Sequence, residues 1–330
     1  MKKFFVWALL LMIMQSNYAQ SGYKITNTFH IAGNGWWDYL AVHGNKLYVS
    51  HGSQVNILDK NTGDSLGIIK GTNGVHGIAF DEAQGKGYTS NGQLNNVFVF
   101  DIETGKIIDS IATGKNPDAI MYEPYIKKII TCNGQSNDLT VIDPLAGKTV
   151  NTILLPGKPE TAISNHTGKL FVNIEDKNEI AVVDLQKMKV EKTFSLQNGE
   201  EPTGLAYDYE TKKLFAGCDK LLVVIDAVSG NVIDKIIIGE GCDGVAFDYS
   251  TKTIFTANGA SGTMTVIKEQ SAGKFSVVEN VSTKQGARTI TIDESTHTLY
   301  LPTADFSKSK TANQRPAIIP GSSQVLVVTR

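Results

Sequence analysis

Cysteine is scarce in this chain, with only Cys132, Cys218 and Cys242 among 330 residues. That excludes a disulfide-built scaffold, because a chain this long buries a core without covalent staples and three thiols form at most one bridge. Cys218 and Cys242 fall around the same stretch and are the candidates for a disulfide or for thiolate ligands. An excess of basic charge is also missing: 31 Lys and Arg face 33 Asp and Glu, a formal net charge of −2. This argues against a general nucleic-acid or anionic-membrane surface and leaves a small polar molecule or an envelope protein as the expected partner. No apolar run is long enough to span a bilayer. The one at residues 4–14 follows Lys2 and Lys3 and reads as a secretory signal, residues 1–19, cut after Ala19. The expected mature protein is therefore exported, periplasmic or extracellular, and monomeric. Signature motifs are lacking as well. The chain has no Gly-x-Ser-x-Gly, no Cys-x-x-Cys, no His-Glu-x-x-His and no glycine-rich phosphate loop, so no enzyme class is marked by a local pattern.

What the chain has in abundance is a repeat. The run Val97-Phe98-Val99-Phe100-Asp101 returns as Val55-Asn56-Ile57-Leu58-Asp59, Leu139-Thr140-Val141-Ile142-Asp143, Ile180-Ala181-Val182-Val183-Asp184 and Val223-Val224-Ile225-Asp226. A weaker copy ends at Lys268, and a last one, residues 325–329, closes the chain. The steps from Asp59 to Asp101, Asp143, Asp184, Asp226 and Lys268 are 42, 42, 41, 42 and 42 residues. A fixed period of this size, built on β-branched runs, predicts an all-β fold of the propeller kind. Each unit parses into four short strands separated by turn residues, such as Asp208-Tyr209-Glu210-Thr211-Lys212 and Glu103-Thr104-Gly105. The repeat runs without a linker, so residues 20–330 form one domain.

Seven units begin near Asp38, His76, Asp118, Glu160, Thr203, Asp243 and Arg288. The seventh lacks a fourth strand, while residues 23–31 alternate like a strand with no unit of their own. The expectation is a seven-bladed β-propeller with four-stranded blades, closed by pairing of the N- and C-terminal strands, which hides two sheet edges. The second strands, Leu47-Tyr48-Val49-Ser50, Leu170-Phe171-Val172-Asn173, Ile254-Phe255-Thr256-Ala257 and Leu299-Tyr300-Leu301-Pro302, resemble the YVTN-type repeat of bacterial seven-bladed propellers of the YncE-like family. The resemblance covers essentially the whole mature chain. It implies an exported propeller and names no substrate.

Antiparallel strand order brings the loops before each first strand and after each second strand to one mouth of the central channel, the default ligand site of such a fold. The unit starts form an inner ring there. The second-strand ends add an outer ring of His51, Asn91, Asn133, Glu175, Asp219, Asn258 and Asp305. The strands repeat but these positions vary in charge and type, which fits either a site or a solvated rim in which Arg288 neutralises Asp243 and Asp38. From these rings the expected ligand-binding residues are Trp37, Asp38, His76, Asp118, Glu160, Asp243, Arg288, Asn91, Asn133 and Asn258. Within them His76, Asp118 and Glu160 form a mixed nitrogen and oxygen set suited to a divalent metal, and Arg288 suits a carboxylate or phosphate. Trp36 and Trp37 are the mature chain's only tryptophans. One is expected to pack between blades and the other to face the mouth as a stacking surface. In the seventh unit residues 306–323, with Lys308, Lys310, Arg315, Pro316 and Pro320, form an insertion that is either a lid over the mouth or a disordered loop. Three readings stay open: a binding protein for a small polar ligand, with or without a metal; a lactonase-like or lyase-type enzyme using a funnel metal; and an envelope interaction scaffold.

Overall fold

The computed structural model describes residues 22–307 and 317–330. The expected signal, residues 1–19, and the middle of the insertion, 308–316, lie outside the described residues. Seven four-stranded antiparallel sheets form a ring. The first strand of each blade lines the axis: Trp37–His43, Val75–Asp81, Pro117–Glu123, Pro159–Ser164, Leu205–Asp208, Cys242–Asp248 and Thr291–Asp293. Inner strands of neighbouring blades touch one another around the ring. The chain is a seven-bladed β-propeller.

The third strands explain why the repeat is so apolar. Along Leu221–Asp226, Val223 and Ile225 pack toward blade 4, against Phe171 and Val182. Leu222 and Val224 pack toward blade 6, against Ile254 and Ile267. Because both faces of a blade are covered, the strand reads as a continuous β-branched run instead of an alternation.

Closure follows the expected route. Lys24–His30 lies antiparallel beside Gln324–Thr329, with Ile25 opposite Val328 and Phe29 opposite Val325. It forms the outer strand of the sheet that also holds Thr291–Asp293 and Thr298–Thr303.

A bulge opens the inner strand of blades 1 to 4. In blade 1, Trp37 pairs with His51 and Leu40 with Val49, so Asp38 and Tyr39 stand opposite the single residue Ser50. The same two-for-one step places His76 and Gly77 opposite Ser90, Asp118 and Ala119 opposite Cys132, and Glu160 and Thr161 opposite Asn173. Bulges re-aim side chains, and here they fall on the unit-start residues. Ser50 fixes the blade 1 bulge by accepting from Asp38 N at 3.1 Å and donating to Tyr39 O at 3.0 Å.

Candidate functional site

The charged residues of the inner ring form two clusters of direct contacts. Asp38 stands between a cation on each side: its Oδ2 lies 2.6 Å from His76 Nδ1, and its Oδ1 lies 3.4 Å from Arg288 Nη1. Asp118 Oδ1 approaches the same His76 Nδ1 to 3.7 Å. Arg288 also pairs with Asp243 and donates from Nη2 to Trp37 O at 2.9 Å. On the far side Lys158 contacts Glu160 Oε1 at 2.6 Å and also pairs with Glu175. Tyr39, one residue below Asp38, spans the channel from blade 1 to blade 4, where its hydroxyl meets Thr161 Oγ1 at 3.3 Å. The six equivalents of Tyr39 are Gly77, Ala119, Thr161, Gly204, Gly244 and Thr289. One large side chain among small ones can therefore bridge the channel under the charged ring.

Burial sets the protonation states. It disfavours the His76 imidazolium, but the Asp38 hydrogen bond and the charges of Asp118 and Asp38 outweigh it and push its pKa up to about 9. At Asp38 burial works upward, yet Arg288 and His76 together hold the carboxyl below its ordinary value. Asp118 is raised to about 6 by burial and by the Asp38 charge, against the pull of His76 and Arg288. Glu160 is raised to about 8 by burial and by Asp118, with Lys158 opposing. Tyr39 is driven well above the usual phenol range by burial and by Asp118, Asp38 and Glu160. The pocket above this ring has a volume of about 580 Å³ and is bounded by Trp36, Asp38, His76, Gln93, Asn116 and Arg288 among others.

Among the described residues, the set with metal-ligand geometry is Asp38, His76 and Asp118, whose ligand atoms all lie within 4.8 Å of one another. This corrects the expected set of His76, Asp118 and Glu160: Glu160 is drawn aside by Lys158, and Asp38 takes its place. A tetrahedral ion with bonds of ~2.0 Å holds its ligand atoms ~3.3 Å apart. The two distances from His76 Nδ1, 2.6 and 3.7 Å, bracket that spacing.

Asp38, His76, Asp118, Glu160, Asp243 and Arg288 are thus brought together, but Asn91, Asn133 and Asn258 are not. All three are fully buried inside their blades. Each accepts from the Thr two residues before it, Thr89, Thr131 and Thr256, at 3.1, 2.9 and 3.0 Å. Asn133 also donates to Asp138 and Thr140 of the neighbouring strand, and Asn258 to Thr263 and Thr265. They pair strands and cannot reach a ligand. The tryptophan roles are likewise reversed: Trp37 is 2% exposed and donates from Nε1 to Gly286 O at 3.1 Å, whereas Trp36 is 36% exposed at the mouth. No disulfide joins Cys218 to Cys242; all three cysteines are free and buried, and burial pushes the Cys218 and Cys242 thiols up to about 12. Sequence reasoning missed Lys158 and Tyr39. The signal for Tyr39 was its bulk at a position that is small in every other unit.

No protein-family model matches the chain, and no curated protein matches it in sequence. Its fold is similar to that of solved structures. The WD40 β-propeller domain of Doa1 aligns with a TM-score of 0.72 at 13% identity, over 94% of this chain and 98% of that one. Kuenenia stuttgartiensis hydrazine synthase aligns with a TM-score of 0.70 at 16% identity, over 78% of this chain and 89% of that one. At such identities the likeness shows fold alone, and a propeller hosts many unrelated functions. No helix of the described residues is long and apolar enough to cross a membrane.

Proposed function

We propose that this propeller binds a small polar ligand in its top funnel through a divalent metal ion held by Asp38, His76 and Asp118. The observation that carries the reading is the convergence of these ligand atoms within 4.8 Å from three adjacent inner strands. One imidazole and two carboxylates suit Zn²⁺ or Mn²⁺ more than Mg²⁺ or Ca²⁺, which prefer oxygen alone. Three protein ligands leave a coordination position for water or for a ligand oxygen. The bulged strand starts hold the side chains on rigid sheet, as a preorganised site requires. Export is the companion proposal, supported by the charged start and apolar run of residues 1–14.

Metal analysis and calorimetric titration of the purified, chelator-stripped full chain with Zn²⁺ and Mn²⁺ test the reading. One equivalent is expected to bind and to raise the melting temperature. His76→Ala and Asp118→Asn should lose uptake, and Glu160→Gln should keep it. Absence of uptake by the unaltered protein would reduce the ring to a self-neutralised rim of ion pairs.

A further inference from the structure

A second cleft, of about 310 Å³, adjoins the funnel. Its lining joins the rings of Trp36 and Phe306 to the loop residues Gly241, Ala260 and Gly286. Trp36 and Arg288 line both this cleft and the funnel, so the two spaces adjoin at these side chains. The aromatic wall is built in. Phe306 forms an isolated bridge with Ile318 at the base of the insertion, and its ring lies 5.8 Å from Trp36 and 6.0 Å from Trp37. Residue 286 has to be glycine for this seat, because with φ at 83° a Cβ there would stand 2.9 Å from the Phe306 ring.

A cleft lined by two aromatic rings and glycine-rich loop backbone suits a flat apolar ring. Its volume is about twice the ~150 Å³ that suffices for benzene. A sugar would bring several hydroxyls needing partners, and the slot offers few side-chain polar groups besides Gln285 and Arg288. Arg288 stands at the junction. Its five N–H groups serve Asp38, Asp243 and the Trp37 carbonyl, which leaves donors for a further carboxylate oxygen.

We infer that the Trp36–Phe306 cleft is the subsite for the aromatic ring of an aryl carboxylate whose carboxylate lies at Arg288 and the neighbouring cation site. The carboxylate half of this inference rests on the metal reading of the funnel, because without a cation Asp38 and Asp118 repel an anion. The ring half does not.

Binding of 2-naphthoate, acetate and neutral 2-naphthol to the full chain, Zn²⁺-loaded and metal-free, tests it. With Zn²⁺, 2-naphthoate should bind at least tenfold tighter than acetate. Trp36→Ala, and separately Ala260→Leu, which fills the slot from an exposed loop position, should abolish that ratio while sparing acetate binding and Zn²⁺ uptake. In metal-free protein 2-naphthol should bind and lose affinity in the same two variants. Naphthoate binding no tighter than acetate, or unchanged in both variants, would overturn the inference. If Zn²⁺ is not taken up but 2-naphthol still binds in a Trp36-dependent way, the metal reading fails and the aromatic subsite stands. Zn²⁺ uptake without any Trp36-dependent ring binding overturns the subsite and leaves the metal site in place.

Discussion

His76 is held protonated by Asp38 and Asp118, so a divalent ion has to displace that proton before Nδ1 serves as a ligand. The same proton makes the stability of the metal-free protein depend on pH with a definite sign. The folded pKa of His76 is about 9 against 6.5, and that of Glu160 about 8 against 4.5. Both groups therefore bind more protons folded than unfolded, and stability falls as pH rises through the folded values. Asp118, raised to about 6 from 3.8, acts in the same direction at lower pH. His51, whose pKa is lowered chiefly by burial, opposes them only below 6.5. Between pH 6.5 and 9 the metal-free protein should lose a few degrees of melting temperature, and the metal-induced gain should grow over the same interval. Glu160→Gln should flatten the lower part of the slope. A melting temperature that rises from pH 6.5 to 9 would show that the network is not protonated as its geometry dictates.

The turn between third and fourth strands shows what made the repeat legible. Asp59, Asp101, Asp143, Asp184 and Asp226 each end a strand and accept, through the side chain, from backbone N–H groups of the following turn. At Gly230 the turn closes with φ at 79°, and a Cβ there would lie 2.2 Å from the Phe194 ring. Phe194 is 4% exposed. Gly230→Ala should therefore cost more than ~1 kcal/mol in a denaturant titration, whereas Val228→Ala, at a position 63% exposed, should stay within ~0.5 kcal/mol. Where Lys268 replaces the aspartate the strand does not stop. Thr263–Ser271 and Lys274–Ser282 form a longer hairpin that turns at Gly273. The period thus exposed blade number, strand order and closure, because one residue type marks one local geometry. It did not expose depth. Asn91, Asn133 and Asn258 stand at second-strand ends like Glu175 and Asp219 nearby, and only the Thr two residues earlier, on the same strand face, reveals that they point into a polar ladder. The partners inside the funnel were legible only in part, since the pairing of Lys158 with Glu160 and Glu175 depends on how loop ends from different strands meet.

A propeller differs from an open repeat array in that its last unit has to meet its first. Here the joint is non-covalent and lies within one blade, where Lys24–His30 covers the edge of Gln324–Thr329. Phe29 is the chief anchor. It is 3% exposed and shares a cluster with Leu40 and Leu47 of blade 1 and with Tyr300, Val325 and Val327 of blade 7, so one side chain ties the closing strand to both neighbouring blades. Its ring sits 6.4 Å from that of Tyr300, whose hydroxyl donates to Lys60 O of blade 1 at 2.9 Å. Truncating a buried phenylalanine ordinarily costs ~3–5 kcal/mol, and here the loss should be felt by the whole ring, because separating the joint exposes edges on both strands. Phe29→Ala should lower the unfolding free energy by that amount in a single cooperative transition at a lower denaturant midpoint, and deletion of residues 24–30 should cause aggregation. Thr28→Ala, at a half-buried position next to Phe29 on the same strand, should cost ~1 kcal/mol or less. If Phe29→Ala and Thr28→Ala melt alike, or if the deletion variant stays monomeric with an unchanged midpoint, the terminal strand is an appendage and the ring holds without it.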